Sequence, residues 1–310
     1  MLLLVLVAIV VVGVAMTTSA KRSLQMSLSA IESSRAIQRR WGMYSCQRTL
    51  LPAASGLFDV SDRTTRKQRG RKIPFPAVLS DRLILGGQTL DLIVSDEDAK
   101  ANLNAIYDIG GKRVCEKALT SLAGAIESRT VQLIPNRASV ASPTAKNSAA
   151  GESTLSGNKE STLPNIDFFP AFRSWGEVFD LVSLSRISGD DRQIAKMTRR
   201  ITLFGTGRLN VFRAADETVL AVSKAAIQDG LAQRVLSKIR ETSLSQIDLI
   251  LEQTVTNEDD RQELKLLLSE SSNSFSIWIE ISDRSSRQQR FAVQSPDNFG
   301  KIRTAEFSFE

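Results

Sequence analysis

The chain reads as an α+β protein: a long N-terminal helix, then an antiparallel sheet interrupted by a large helical insertion. Three observations predict this. An uncharged apolar run fills residues 1–20 and passes into a segment of helical periodicity. Strand-like patterns appear early, near residues 82–94, and again late, at 275–281, 290–293 and 303–309. Helical patterns occupy much of the interval between them. Strands at both ends with helices between imply one sheet, continuous in space and broken in sequence by an insertion.

Leu2, Leu3, Leu4, Val5, Leu6, Val7, Ile9, Val10, Val11 and Val12 make up most of the apolar run. Its length matches a hydrocarbon core of about 30 Å. A cleaved secretory signal is the alternative, with small residues Thr18 and Ala20 ahead of Lys21. A signal peptide carries a positive n-region, and no basic residue precedes Lys21. Lys21 and Arg22 follow the run, and by charge alone they would hold the body in the cytoplasm. A basic leader upstream of Met1 would reverse that assignment, and such a leader is expected. Leu24, Leu28 and Ile31 fall at helical spacing, as do Ala30, Ile37 and Trp41, with serines and charges on the other faces. No Pro precedes Pro52 and no Gly lies between Gly13 and Gly42. One helix of roughly forty residues, about 60 Å long, is the economical reading.

Composition limits the chemistry. Among 310 residues, 42% are hydrophobic but only 6% aromatic, so the core must be mostly aliphatic. The net charge is +6, and a single run supplies much of it: Arg63, Arg66, Lys67, Arg69, Arg71 and Lys72. That run reads as a solvated loop, because no aromatic residues interleave with the charges as they would in a nucleic-acid platform. The chain has no His. This excludes a Ser/His/Asp triad and a His-based zinc site. Cys46 and Cys115 form no C-x-x-C motif, and two readings stay open: a disulfide in an oxidising compartment, or two lone core thiols.

Residues 52–81 contain Pro52, Gly56, the basic run, Pro74 and Pro76, and read as an irregular connection. Gly86-Gly87 between the apolar-rich runs 82–85 and 88–94 predicts a tight β-hairpin. A polar loop is expected at 95–104. Residues 103–126 read as helix, or as a helical hairpin broken at Gly110-Gly111. The low-complexity stretch 136–164, rich in Ser, Ala, Thr, Asn and Gly, cannot bury a core and reads as a disordered linker. Phe168, Phe169, Phe172, Trp175, Val178, Phe179 and Leu181 form the densest aromatic cluster and read as the core of a small helical subdomain. Residues 202–204 and 208–212 flank Gly205-Thr206-Gly207 and read as strand, turn and strand. Helical patterns then occupy 216–228, 231–241, 244–251 and 258–268. The division that follows is 1–41 for anchor and stalk and 42–102 for the first strands with their connection. Residues 103–200 form the helical insertion, and 201–310 continue the helical region into the last strands.

With these residues in hand, the chain resembles the minor pseudopilins of bacterial type II secretion, specifically the K subunit of the general secretion pathway. The apolar helix running into an amphipathic stalk is one point of likeness. Asp96, Glu97, Lys100, Asn102 and Asn104 lie in a stretch similar to that family's D-E-x-x-K-x-N-L-N segment. Gly205, Gly207 and Asn210, followed by Ala214 and Val219-Leu220, are similar to its later G-x-G-x-x-N segment. The large insertion between early and final strands is the last point. Phe212 stands where the family's second Asn is expected, and the 136–164 stretch is longer and more polar than the pattern. No acid precedes Glu32, and the K subunit is the pseudopilin that lacks the N-terminal Glu of its relatives.

The resemblance implies a pilin-like sheet, no enzymatic activity, and a single-pass inner-membrane subunit with its body in the periplasm. It implies other minor and major pseudopilins as partners, and secreted protein substrates pushed outward by a short filament tipped by this subunit. Some members bind calcium. Asp96, Glu97 and Asp98 are hard oxygen donors that suit Ca²⁺, but they lack the D-x-D-x-D-G spacing, and a solvated acidic turn is the preferred reading. Asn102, Asn104 and Asn210 are expected to tie turns to backbone groups.

A competing class is a membrane-anchored DNA-binding protein. Residues 103–114 resemble a helix-hairpin-helix, whose Gly110, Gly111, Lys112 and Arg113 would hold a phosphate, and 184–189 is a poorer echo. One hairpin of modest basicity is a weak electrostatic footprint, so nucleic acid is the lesser expectation. For enzymes, the sequence contains no G-x-S-x-G, P-loop or H-E-x-x-H, and Gly205-Thr206-Gly207 lacks the third Gly of a dinucleotide loop.

Overall fold

The computed structural model describes residues 2–69, 74–124, 127–136, 170–188, 199–241, 246–282, 287–296 and 301–309. Helix α1 (Leu2–Leu50) is unbroken over 49 residues, longer at its C-terminal end than the sequence predicts. The extension has a packing cause. Met43, Cys46 and Leu51 are buried together with the sheet residues Leu90, Leu92, Ile277 and Ile279, so tertiary contact holds the last turns.

Helix α2 (Ala54–Arg69) replaces the irregular connection expected at 52–81. Ala54 and Phe58, one turn apart, are fully buried, and Phe58 stacks on Phe275 with ring centroids 5.6 Å apart. Once this face has a sheet to cover, the intervening polar residues are free to form helix. Arg63, Arg66, Lys67 and Arg69 therefore lie on a helix rather than a loop, whereas Arg71 and Lys72 lie outside the described residues.

The sheet has five strands in the order β1-β2-β7-β8-β9, all neighbours antiparallel. Strands β1 (Val78–Leu85) and β2 (Gln88–Asp96) form the predicted hairpin, and Gly86 and Gly87 adopt φ of +58° and +74°. Two consecutive positive φ values are the requirement of a two-residue turn matched to strand twist, which explains the glycine pair. Strands β7 (Phe275–Ser282), β8 (Arg287–Pro296) and β9 (Ile302–Phe309) complete the sheet. Leu90 opposes Ile281 and Leu92 opposes Ile279, so one apolar face turns toward α1 and α2. Residues 97–274 thus enter and leave between two adjacent strands, as the split strand pattern predicts.

The insertion carries its own core. Helix α3 (Leu103–Leu122) bends at Gly111, whose φ is +70°, as the Gly-Gly pair predicts. It packs on α5 (Asp216–Ala226), and α6 (Asp229–Glu241), α7 (Ile247–Thr254) and α8 (Glu258–Leu267) follow in sequence and contact. The short α4 (Leu181–Ser188) lies between the aromatic segment and the later helices. Phe172, Val178 and Phe179 are buried, as expected, but they sit on extended chain and a single 3₁₀ turn (Trp175–Glu177) rather than in a helical subdomain. Phe168 and Phe169, with 137–164 of the low-complexity stretch, lie outside the described residues.

The strand-turn-strand reading of 202–212 is corrected. Strand β4 (Ile201–Thr202) pairs in parallel with β3 (Ala101–Asn102), and β5 (Leu209–Asn210) pairs in parallel with β6 (Leu268–Ser269). The two runs do not pair with each other, because each finds its partner far along the chain.

Candidate assembly helix and buried polar junction

Two features carry functional potential: the exposed apolar part of α1 and the polar junction where the insertion meets the sheet. Along α1, Leu3, Val5, Leu6, Val7, Ile9, Val10, Val11 and Val12 all point away from the rest of the protein, each more than half exposed. The side chains of Leu2 and Leu4 fall outside those described. This is the one helix among the described residues long and apolar enough to cross a membrane. Thr17 and Thr18 return their hydroxyls to helix carbonyls at Gly13 and Val14, which hides their polarity within the helix. Beyond the apolar run, Leu24, Leu28, Ile37 and Trp41 are also exposed, so the stalk offers apolar positions to other surfaces.

The far end of α1 is fixed to the sheet by polar contacts. Arg290 Nε donates to Gln47 Oε1, Gln47 Nε2 donates to Glu306 Oε1 at 2.5 Å, and the Arg290 guanidinium lies 5.5 Å from the Tyr44 ring centroid. The stalk is therefore joined to β8 and β9, and force on the helix reaches the sheet directly.

The second feature begins where β2 ends. The sequence predicts a polar loop at 95–104, but Asp96, Glu97, Asp98 and Lys100 are all buried. A buried carboxylate is tolerated best where donors surround it. Glu97 and Asp98 are so surrounded. Glu97 Oε1 accepts from Lys100 Nζ at 2.6 Å and from Ser276 Oγ, and Glu97 Oε2 accepts from Thr202 Oγ1 at 2.5 Å. Asp98 accepts four hydrogen bonds, two from Thr206 and one each from the Asn273 and Ser274 amides. Asp96 accepts from Ser272 Oγ at 2.5 Å, and Arg213 Nε lies 3.3 Å from the same oxygen.

The solvated acidic turn is thus overturned. Apart from Lys100, the donors come from 200–213 and 269–276, distant in sequence and so invisible to local pattern. Calcium is the lesser reading of these three acids, and among the described residues no group of three or more His, Cys, Asp or Glu side chains is placed to hold a metal ion. Burial pushes the Asp96 carboxyl up to about 7, the Ser272 hydrogen bond and Arg213 pull against that shift, and Asp98 adds to it. Burial also raises Asp98, against its four donors.

The motif glycines and asparagines converge on this junction. Asn102 Oδ1 caps α3 by accepting from the Asn104 and Ala105 amides, and Asn102 Nδ2 donates to Phe204 O at 2.7 Å. Asn104 Nδ2 donates to Phe172 O and Leu203 O, and its Oδ1 accepts from Phe172 N. Asn210 Oδ1 accepts from Phe212 N and its Nδ2 donates to Ser272 Oγ at 2.8 Å. Gly205 and Gly207 adopt φ of +101° and +83° and wrap residues 205–207 around Asp98. A Cβ at Gly205 would meet Asp98 Oδ1 at 2.9 Å, so glycine is required there for both conformation and space.

Arg213 carries no motif in the sequence, yet it joins three parts of the body. Its Nη2 pairs with Asp62 Oδ2 on α2 at 2.6 Å, its Nη1 donates to Pro76 O at 3.3 Å, and its guanidinium lies 4.7 Å from the Phe58 ring centroid. Nothing in its local sequence marks it out, since the signal is the distant pair of acids.

Gly110, Gly111, Lys112 and Arg113, the residues of the alternative phosphate-binding hairpin, lie at the bend of α3. A Cβ at Gly110 would fall 2.4 Å from Val114 Cβ, so the bend accounts for the glycines without a ligand. Lys112 and Arg113 are exposed beside it. Cys46 and Cys115 are free and belong to separate cores, the first under the sheet and the second in the insertion.

No family model matches this chain, and no curated protein matches it. A chain in the crystal structure of the GspK-GspI-GspJ complex from the enterotoxigenic Escherichia coli type 2 secretion system aligns with it at 14% sequence identity and a TM-score of 0.46. That alignment covers 91% of this chain and 99% of the other.

Proposed function

We propose that this chain is a minor pseudopilin of the K-subunit type. On this reading it is stored as a single-pass inner-membrane protein with its body in the periplasm. There it caps a short filament that contributes to the export of folded proteins across the outer membrane. Its partners are other minor and major pseudopilins, and its role is structural rather than enzymatic.

The observation that carries the reading is α1. An unbroken 49-residue helix has an apolar first part that is exposed among the described residues, while its last turns are locked to a five-stranded sheet. Apolar surface on that scale requires lipid or other helices. Both can be satisfied in turn. The backbone hydrogen bonds of a helix stay internal on leaving lipid, and apolar contact with tails is exchanged for apolar contact with neighbouring helices. Extraction by an assembly motor is then feasible. The ordered motif residues Asp96, Glu97, Lys100, Asn102, Asn104, Gly205, Gly207 and Asn210 support the family reading as well, since they form one junction rather than scattered turns.

The test is Val10→Asp in the tagged full-length protein, expressed in its host. A charge in the centre of the apolar run costs about 3 kcal/mol in a membrane span. Loss of membrane fractionation and of secretion is expected. A variant that remains with membranes and supports secretion would contradict the proposal.

A further inference from the structure

Beyond residue 20 the stalk keeps an apolar side that its own body leaves exposed. Met26, Ala30, Ser33, Ile37, Trp41 and Tyr44 recur at steps of three or four residues, so they share one side of α1. Met26, Ile37 and Trp41 are 72%, 57% and 64% exposed, and Ala30 and Ser33 are exposed between them. At about 3.6 residues per turn Ile37 lies opposite Cys46, which is buried under the sheet, so this side of the helix faces away from the body. The stripe ends at the body on an aromatic shelf. Trp41 meets Tyr44 edge to face with ring centroids 6.2 Å apart, and the guanidiniums of Arg48 and Arg290 each lie 5.5 Å from the Tyr44 ring centroid.

The charge of the stalk is one-sided. Residues 21–50 carry Lys21, Arg22, Arg35, Arg39, Arg40 and Arg48 against a single acid, Glu32. By helical spacing Glu32 falls about 140° from Ile37, whereas Arg22, Arg40 and Arg48 border or continue the stripe. These three side chains are exposed. Glu306, the acid that joins the shelf, already accepts from Gln47 and Arg290.

A second copy of this chain would bring guanidiniums against guanidiniums, which opposes pairing. With the apolar run in the bilayer, Trp41 stands about 30 Å up the helix from Lys21, beyond the reach of lipid headgroups. A narrow apolar stripe with small residues at its middle and cations along its edges fits a helix whose own apolar stripe is edged by carboxylates.

We infer that this side of α1 docks the stalk helix of a second, different pseudopilin, running parallel to it. The partner sets aliphatic side chains against Ile37 and Trp41, and Asp or Glu side chains opposite Arg22, Arg40 and Arg48. This rests on the filament reading and adds to it the face used and the chemistry of the partner.

Photocrosslinking in the host tests the inference. The tagged full-length protein carries Ile37→p-benzoylphenylalanine or, on the other side of the helix, Glu32→p-benzoylphenylalanine. From position 37 the expected adduct is with a membrane-anchored pseudopilin, through a stalk peptide in which acids flank the crosslinked side chain. Adding Arg48→Glu is expected to lower its yield about tenfold, because an attractive charge contact becomes a repulsive one. Should that change disturb the Tyr44 shelf, Arg22→Glu at the membrane end of the stripe reads the same effect. An adduct with the chain itself, with lipid alone or with a peptide lacking flanking acids would overturn the inference. So would no adduct, an equal adduct from position 32 with the same peptide, or a yield indifferent to both charge reversals. A mature N-terminus at Lys21 would sink the filament reading, whereas a protein that keeps its N-terminal run and gives any of these results sinks this inference alone.

Discussion

Arg213 and Asp62 are 151 residues apart in sequence and form a 2.6 Å ion pair that joins α2 to the insertion. Both side chains are largely buried, and Arg213 also serves Asp96. Removing the cation takes a largely buried positive charge from beside Asp62 and Asp96. Arg213→Met, which keeps apolar contact with Phe58, is expected to destabilise the body by about 3 kcal/mol. Denaturant unfolding followed by tryptophan fluorescence would measure this, and a loss under about 1 kcal/mol would show the pair to be incidental.

Gly205 and Gly86 separate two causes of glycine preference. Both have positive φ, but only Gly205 faces a close neighbour, Asp98 Oδ1. Gly86→Ala is expected to cost about 1 kcal/mol, from backbone conformation alone. Gly205→Ala adds a clash to that strain and is expected to cost about 3 kcal/mol or more. Equal losses in thermal unfolding would argue against the wrapped loop around Asp98.

The two thiols are expected to be inert in the folded protein. Burial pushes Cys115 up to about 12 and also raises Cys46. The thiolate is the reactive form, so neither should label with a maleimide at pH 8, and both should label after denaturation. Rapid labelling of Cys115 in the native protein would mean that the insertion core is open.

Ser223 lies on α5, fully buried, with a hydroxyl that has no partner. Ser223→Ala removes an unsatisfied polar atom and improves helix propensity. A gain of about 1 kcal/mol is expected. A loss would reveal a hydrogen bond formed by that hydroxyl.

Much of this architecture was legible in sequence because it is written in local periods. The apolar run, the Gly86-Gly87 turn, the bend at Gly111 and the terminal strands each announce themselves within about ten residues. Helix α2 was hidden because its buried face is thin, essentially Ala54 and Phe58, and a run of basic residues with flanking prolines masked it. The junction was hidden for a different reason. Asp96, Glu97 and Asp98 look like solvated acids until Thr202, Thr206, Arg213, Ser272 and Ser276 arrive from more than a hundred residues away. The parallel pairs β3–β4 and β5–β6 are likewise invisible to any local pattern, which is why Gly205-Thr206-Gly207 read as a hairpin turn.

On the proposed function, the apolar part of α1 is kept in the mature protein and serves first in lipid and then among helices. Determining the N-terminal residue and its modification in protein purified from host membranes tests this most directly. A mature start within or just before Leu2–Val12, carrying an N-methyl group, is expected. A start at Lys21 would mean that the run is a discarded signal, and would overturn the proposed function.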